Sequence, residues 1–121
     1  MTSAPNVVLV VADDMGYGDF GAFSEGAVHT PTLDSLIAEG TCLTQHYAGS
    51  AVCSPSRAAL LTGRYPIRTG AITPQETLGG DRIALDERTI ADTFRLGGYA
   101  TGLIGKWRCS AELYIARTNS T

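Results

Sequence analysis

From Asn6 to Ala12 the chain reads Asn-Val-Val-Leu-Val-Val-Ala, an uncharged run of β-branched and aliphatic residues of strand length. A continuous run, unlike an alternating one, predicts a strand covered by helices on both faces and hence the first strand of an α/β sheet. Thr30-Pro31-Thr32 opens a helix with a cap and a first-position proline; Leu33, Leu36 and Ile37 share one face, and Gly40 ends it. Thr41 to Tyr47 reads as a second strand. Ser54 as N-cap and Pro55 at the first position predict a short helix through Ala58 to Leu61, closed near Gly63. Asp86 reads as the cap of a further helix with Ile90, Ala91 and Phe94 on one face, and Gly97-Gly98 stops it before the strand-like Tyr99 to Trp107. This alternation predicts an α/β fold with a mostly parallel sheet flanked by helices over residues 1–107. Tyr65 to Arg82 has Gly70, Pro74, Gly79 and Gly80 without periodicity and reads as a loop around the site. From Arg108 the pattern is lost, and residues 108–121 are expected to form a divergent, frayed tail.

The chain has 121 residues, enough for one small domain with a core of its own. Its formal net charge is −3 and its basic residues are scattered, which disfavours nucleic acid and acidic membrane surfaces as partners. No apolar run approaches the roughly eighteen residues of a membrane span. The opening Met-Thr-Ser-Ala-Pro-Asn lacks the positive and apolar regions of a secretory signal, so a cytoplasmic location is expected. Three cysteines, Cys42, Cys53 and Cys109, make neither a disulfide framework nor a Cys-x-x-Cys zinc pair.

Chemistry concentrates at three places. Cys53 lies at the start of the helix expected from Ser54, where backbone N–H groups and the positive end of the macrodipole favour an anion or an anionic nucleophile. Arg57, in the first turn, can offer a planar guanidinium to two oxyanion oxygens at once; the alternative is a buried cysteine beside a surface arginine. Asp13 and Asp14 directly follow the first strand, where ligands of open α/β sheets collect, and paired carboxylates suit Ca2+ or Mg2+; the alternative is a solvated turn. Lys106, at the end of the last expected strand, can neutralise an anion or be an ordinary surface lysine. Asp19 reads as loop structure, His29 and His46 as structural, Cys42 as a small core residue and Cys109 as part of the tail.

The block Cys53-Ser-Pro-Ser-Arg-Ala-Ala-Leu-Leu-Thr-Gly-Arg64 resembles the signature of type I sulfatases, in the alkaline-phosphatase-like superfamily, over the pattern Cys-x-Pro-Ser-Arg-x-x-Leu-Leu-Thr-Gly-Arg. Asp13-Asp14-Met15-Gly16-Tyr17-Gly18-Asp19 and Tyr99-Ala-Thr-Gly-Leu-Ile-Gly-Lys-Trp107 are similar to two further segments of that family, and the resemblance covers roughly residues 6 to 107, its amino-terminal part. It implies a sulfuric ester hydrolase of arylsulfatase type in which a maturation enzyme converts Cys53 to formylglycine. Asp13, Asp14 and modified Cys53 would hold the metal, and Arg57 and Lys106 would meet the sulfate. One hydroxyl of the hydrated aldehyde would attack sulfur, and the other would release the covalent sulfate. Arg108 stands where the family has a histidine, and an arginine cannot act as a base near neutral pH. The family's later Asp-Asn ligands have no counterpart in the chain, so impaired turnover is expected. Two other functions stay open: a truncated, non-catalytic remnant or interaction module, and a phosphomonoester or phosphonate hydrolase on the same scaffold.

Overall fold

A computed structural model describes residues 4–73, 82–105 and 112–118. In chain order it contains β1 (Val7–Val11), α1 (Pro31–Glu39), α2 (Cys53–Thr62), α3 (Pro66–Thr69), α4 (Ile90–Leu96), β2 (Tyr99–Gly105) and β3 (Glu112–Thr118), with single 3-10 turns at Tyr17–Asp19 and Gly21–Phe23. The chain divides into two compact units, Ala12–Tyr47 and a second made of Met1–Val11 with Ala48–Thr121. No helix among the described residues is long and apolar enough to cross a membrane.

The larger unit holds a three-stranded sheet in the order β1-β3-β2. Both pairings are antiparallel: Val7 to Val11 lie opposite Ala116 to Glu112, and Tyr99 to Gly105 opposite Thr118 to Glu112. The mostly parallel sheet expected from the alternation of elements is therefore not what the described strands form. β1 and β2 do run the same way, since each opposes β3, but β3 stands between them. The stretch expected to fray thus contains the central strand. Local pattern was silent about it because pairing on both edges is a tertiary event.

β1 alternates in burial, with Val7, Leu9 and Val11 half-buried and Val8 and Val10 exposed at 59% and 72%. The cover on both faces expected from its composition is absent among the described residues. α4 packs on β2, where the rings of Phe94 and Tyr99 meet edge to face at 5.1 Å. The start of α4 also differs from expectation. Thr89, not Asp86, is the cap: its hydroxyl accepts the Asp92 N–H, while the Asp92 carboxylate accepts the N–H and hydroxyl of Thr89. A capping box satisfies two end N–H groups at once, which Asp86, in a turn before the helix, does not.

The core sits on α2. Among the described residues its buried members are Ala58, Leu61 and Ala71, together with Ser54, Pro55, Arg57 and Thr69. Thr69 belongs to α3, a short helix inside the segment expected to be loop; of that segment, residues 74–81 lie outside the described residues. Thr69 satisfies its buried groups, donating its hydroxyl to Pro66 O at 2.9 Å and accepting the Ala84 N–H at its carbonyl at 2.9 Å. Gly49 approaches α2 so closely that a Cβ there would stand 2.4 Å from that of Ala59.

In the smaller unit α1 forms as expected with Thr30 as its N-cap: the Thr30 carbonyl accepts the Asp34 N–H at 2.9 Å, while its hydroxyl bonds elsewhere than to a helix-end N–H. That hydroxyl accepts the Gly21 N–H at 2.7 Å and donates to Asp34 Oδ1 at 2.9 Å, and the same carboxylate oxygen accepts the Ala22 N–H at 2.9 Å. These bonds tie the second 3-10 turn to the helix. Thr41 to Tyr47 is turn and coil, not the expected second strand. Leu43 and Tyr47 are largely exposed, and His46 N–H closes a turn on Leu43 O at 3.3 Å, so the backbone finds a local partner instead of a ladder. Cys42, expected in a core, is exposed because no strand forms there to bury it.

Candidate active site

α2 begins at Cys53, two residues earlier than Pro55 had suggested, with Val52 as an extended N-cap at φ −126° and ψ 154°. Ser56 N–H donates to Val52 O at 3.0 Å and closes the first helical bond. Pro55 fits because an N–H in the first turn has no acceptor inside the helix, so losing it costs nothing there. Ser54 is consequently not the cap. It is wholly buried in the first turn, and its hydroxyl has no hydrogen-bond partner among the described residues.

This shift places Cys53 in the first turn, half-buried, at the positive end of a ten-residue helix. Arg57 follows four residues later and so lies on the same face. It is only 5% exposed, which removes the alternative of a surface arginine. A guanidinium is kept at such depth by charge and hydrogen bonds, and it brings a fixed positive charge beside the helix end that carries the cysteine.

At the other end of α2 the chain reverses through Gly63, whose φ of +66° is the left-handed form that glycine adopts freely, and whose N–H bonds Ala59 O at 2.9 Å. Arg64 then bridges to Glu87, Nη1 to Oε1 at 2.5 Å, with the Glu87 side chain 7% exposed and that of Arg64 47%. A cavity of about 580 Å³ opens there, lined by Thr62, Arg64, Glu87, Arg88 and Thr89 among others. The last arginine of the signature thus ties the end of α2 to Glu87. Glu87 was not singled out in the sequence, and its distance of 23 residues from Arg64 left no local signal of the pairing.

Asp13 and Asp14 belong to the smaller unit and follow the end of β1 after Ala12. Asp14 adopts φ +53°, a left-handed conformation uncommon outside glycine and one that recurs at ligand-holding turns. Asp19 is occupied otherwise: its Oδ2 accepts the Gly16 N–H at 2.6 Å and shapes the first 3-10 turn, as expected of loop structure. Two adjacent carboxylates, one on a strained backbone, are hard oxygen donors that suit Ca2+ or Mg2+. His29 and His46 are both exposed. Lys106, Arg108 and Cys109 lie outside the described residues.

The chain thus mixes strands and helices and carries a helix-borne cysteine with a buried arginine one turn on. Residues 5–111 match the family model described as Sulfatase, and the chain belongs to the sulfatase family. It is 49% identical over 112 residues to arylsulfatase H of Canis lupus familiaris, covering 87% of this chain and 20% of that protein. It is 44% identical over 111 residues to the steryl-sulfatase of Homo sapiens, with 87% and 19% covered. It is 45% identical over 108 residues to arylsulfatase A of Bos taurus, with 87% and 21% covered. The chain therefore spans about a fifth of the length of these relatives. No solved structure matches it.

Proposed function

We propose that this chain carries the amino-terminal catalytic elements of a sulfuric ester hydrolase of arylsulfatase type. The observation that supports this most is the burial of Arg57 one helical turn from Cys53, inside a chain of the sulfatase family. In this reading Cys53 is the residue that a separate maturation enzyme converts to formylglycine, exchanging the thiol for an aldehyde. The positive end of α2 and the Arg57 guanidinium hold the sulfate group and offset the charge that grows on its oxygens, which is preorganised electrostatics rather than proton transfer. Lys106 adds a second cation to the same group. Asp13 and Asp14, with modified Cys53, hold a Ca2+ or Mg2+ ion, which when bound supplies further positive charge to the sulfuryl oxygens.

Production of the full chain together with a formylglycine-generating enzyme tests this directly. Mass spectrometry of the peptide containing Cys53 is expected to show loss of sulfur and two hydrogens and gain of one oxygen, and Cys53→Ala is expected to abolish that change. An unmodified thiol under conditions that convert a known sulfatase would sink the proposal. Turnover of an aryl sulfate against an aryl phosphate by the matured chain, with and without added Ca2+ or Mg2+, then separates a sulfatase from a phosphoester hydrolase.

A further inference from the structure

β3 is the middle strand of the sheet and pairs along both of its edges. β1 and β2 both lie within the residues that match the sulfatase family, whereas β3 lies beyond them. The family segment thus supplies two walls, and a segment outside it fills the space between. The walls run the same way and in the same register: Ala116 is opposite both Val7 and Thr101, and Glu112 is opposite both Val11 and Gly105. Successive residues of a strand direct their backbone N–H and C=O groups to opposite edges. β3 uses both of its edges, while β1 and β2 each use the edge that faces it. With strands about 4.8 Å apart, the walls stand about 10 Å from each other, too far to pair directly.

We infer that β1 and β2 form a strand-accepting slot, and that residues 112–118 occupy it as a donor strand that an extended peptide of the same sequence can replace in trans. The ligand is defined by backbone geometry: about seven extended residues antiparallel to both walls, bonded along both edges, as in recognition by strand addition. A proline cannot serve in the middle of such a ligand, because it removes one of these bonds.

The test uses the full chain with a protease site placed within residues 106–111. After cleavage, the released segment is expected to co-elute with the body and to exchange for a fluorescent peptide Glu-Leu-Tyr-Ile-Ala-Arg-Thr, giving a saturable rise in anisotropy that a scrambled peptide does not compete away. Amide hydrogen exchange is expected to show Val7–Val11 and Tyr99–Gly105 protected together when the peptide is bound. Failure to take up the labelled peptide, protection of one wall alone, or a doubled mass without uptake would overturn the inference. Leu113→Pro and Tyr114→Pro in the uncleaved chain give a second reading. Their lost N–H groups face opposite neighbours, so one variant is expected to deprotect β1 and the other β2, with α2 amides still protected. Loss of protection at the same wall in both variants, or at neither wall, would also overturn it.

Discussion

Ser54 and Thr69 are both wholly buried hydroxyl residues, yet only Thr69 has hydrogen-bond partners among the described residues. Removing an unpaired buried hydroxyl relieves a desolvation cost, while removing a paired one strands its partners. Ser54→Ala is therefore expected to leave stability unchanged or to raise it by about 1 kcal/mol, and Thr69→Val to lower it by about 1–2 kcal/mol, as urea unfolding would show. Gly49 offers a sharper case, because the Cβ of an alanine would stand 2.4 Å from that of Ala59. Gly49→Ala is expected to cost about 1–3 kcal/mol by overpacking. Adding Ala59→Gly should recover part of that loss, even though glycine inside a helix itself costs about 1 kcal/mol; additive losses in the cycle would show that the contact is not made. The Cys53 to Arg64 block was legible at this scale because its residues are contiguous and its types are few. The burial of Arg57, the orphaned hydroxyl of Ser54 and the approach of Gly49 were not, since each depends on what packs over the helix.

α4 shows how a local rule can be right in kind and wrong in place. Thr89-Ile90-Ala91-Asp92 has the spacing of a capping box, so the signal lay in the sequence three residues after the expected cap at Asp86. Hydrogen bonds from the Thr89 N–H, then from its hydroxyl, then from the Arg95 side chain hold the Asp92 carboxyl well below the usual carboxylate range. A lowered folded-state pKa stabilises above the unfolded value of 3.8 and is lost as pH falls through the folded value. The helix is therefore expected to lose stability on acidification below about pH 4. Asp92→Asn should remove that acid dependence of α4 amide exchange, and an unchanged dependence would show that another group carries it. Thr89→Ala is expected to cost about 1 kcal/mol at neutral pH. α1 was legible from Thr30, Pro31 and Gly40 because punctuation of that kind acts over a few residues. The strand expected at Thr41 to Tyr47 failed because a short polar-apolar stretch forms a strand only when a neighbour accepts its ladder.

At the scale of the molecule, more large apolar side chains are exposed than buried among the described residues. Among the described residues the buried hydrophobic side chains are Ala58, Leu61 and Ala71, whereas Val8, Val10, Leu36, Ile67 and Leu85 are each more than half exposed. Leu61→Ala is expected to cost about 2–5 kcal/mol, because it hollows the centre around α2. Val8→Lys with Val10→Lys is expected to lower the binding of a hydrophobic dye while leaving the far-ultraviolet spectrum unchanged; a collapse of that spectrum would show that this face of β1 is covered. The sequence by itself determined the signature from Cys53 to Arg64, the paired carboxylates after β1 and the start and stop of α1. Each of these is written in neighbouring residues whose chemistry does not depend on distant packing. Tertiary structure alone decided that Glu112–Thr118 is the central strand, that the sheet is antiparallel, and that Arg64 grips Glu87 while Arg57 is buried. The β1–β3 partners lie about a hundred positions apart and Arg64 and Glu87 lie 23 apart, and only the folded chain brings them within hydrogen-bond reach.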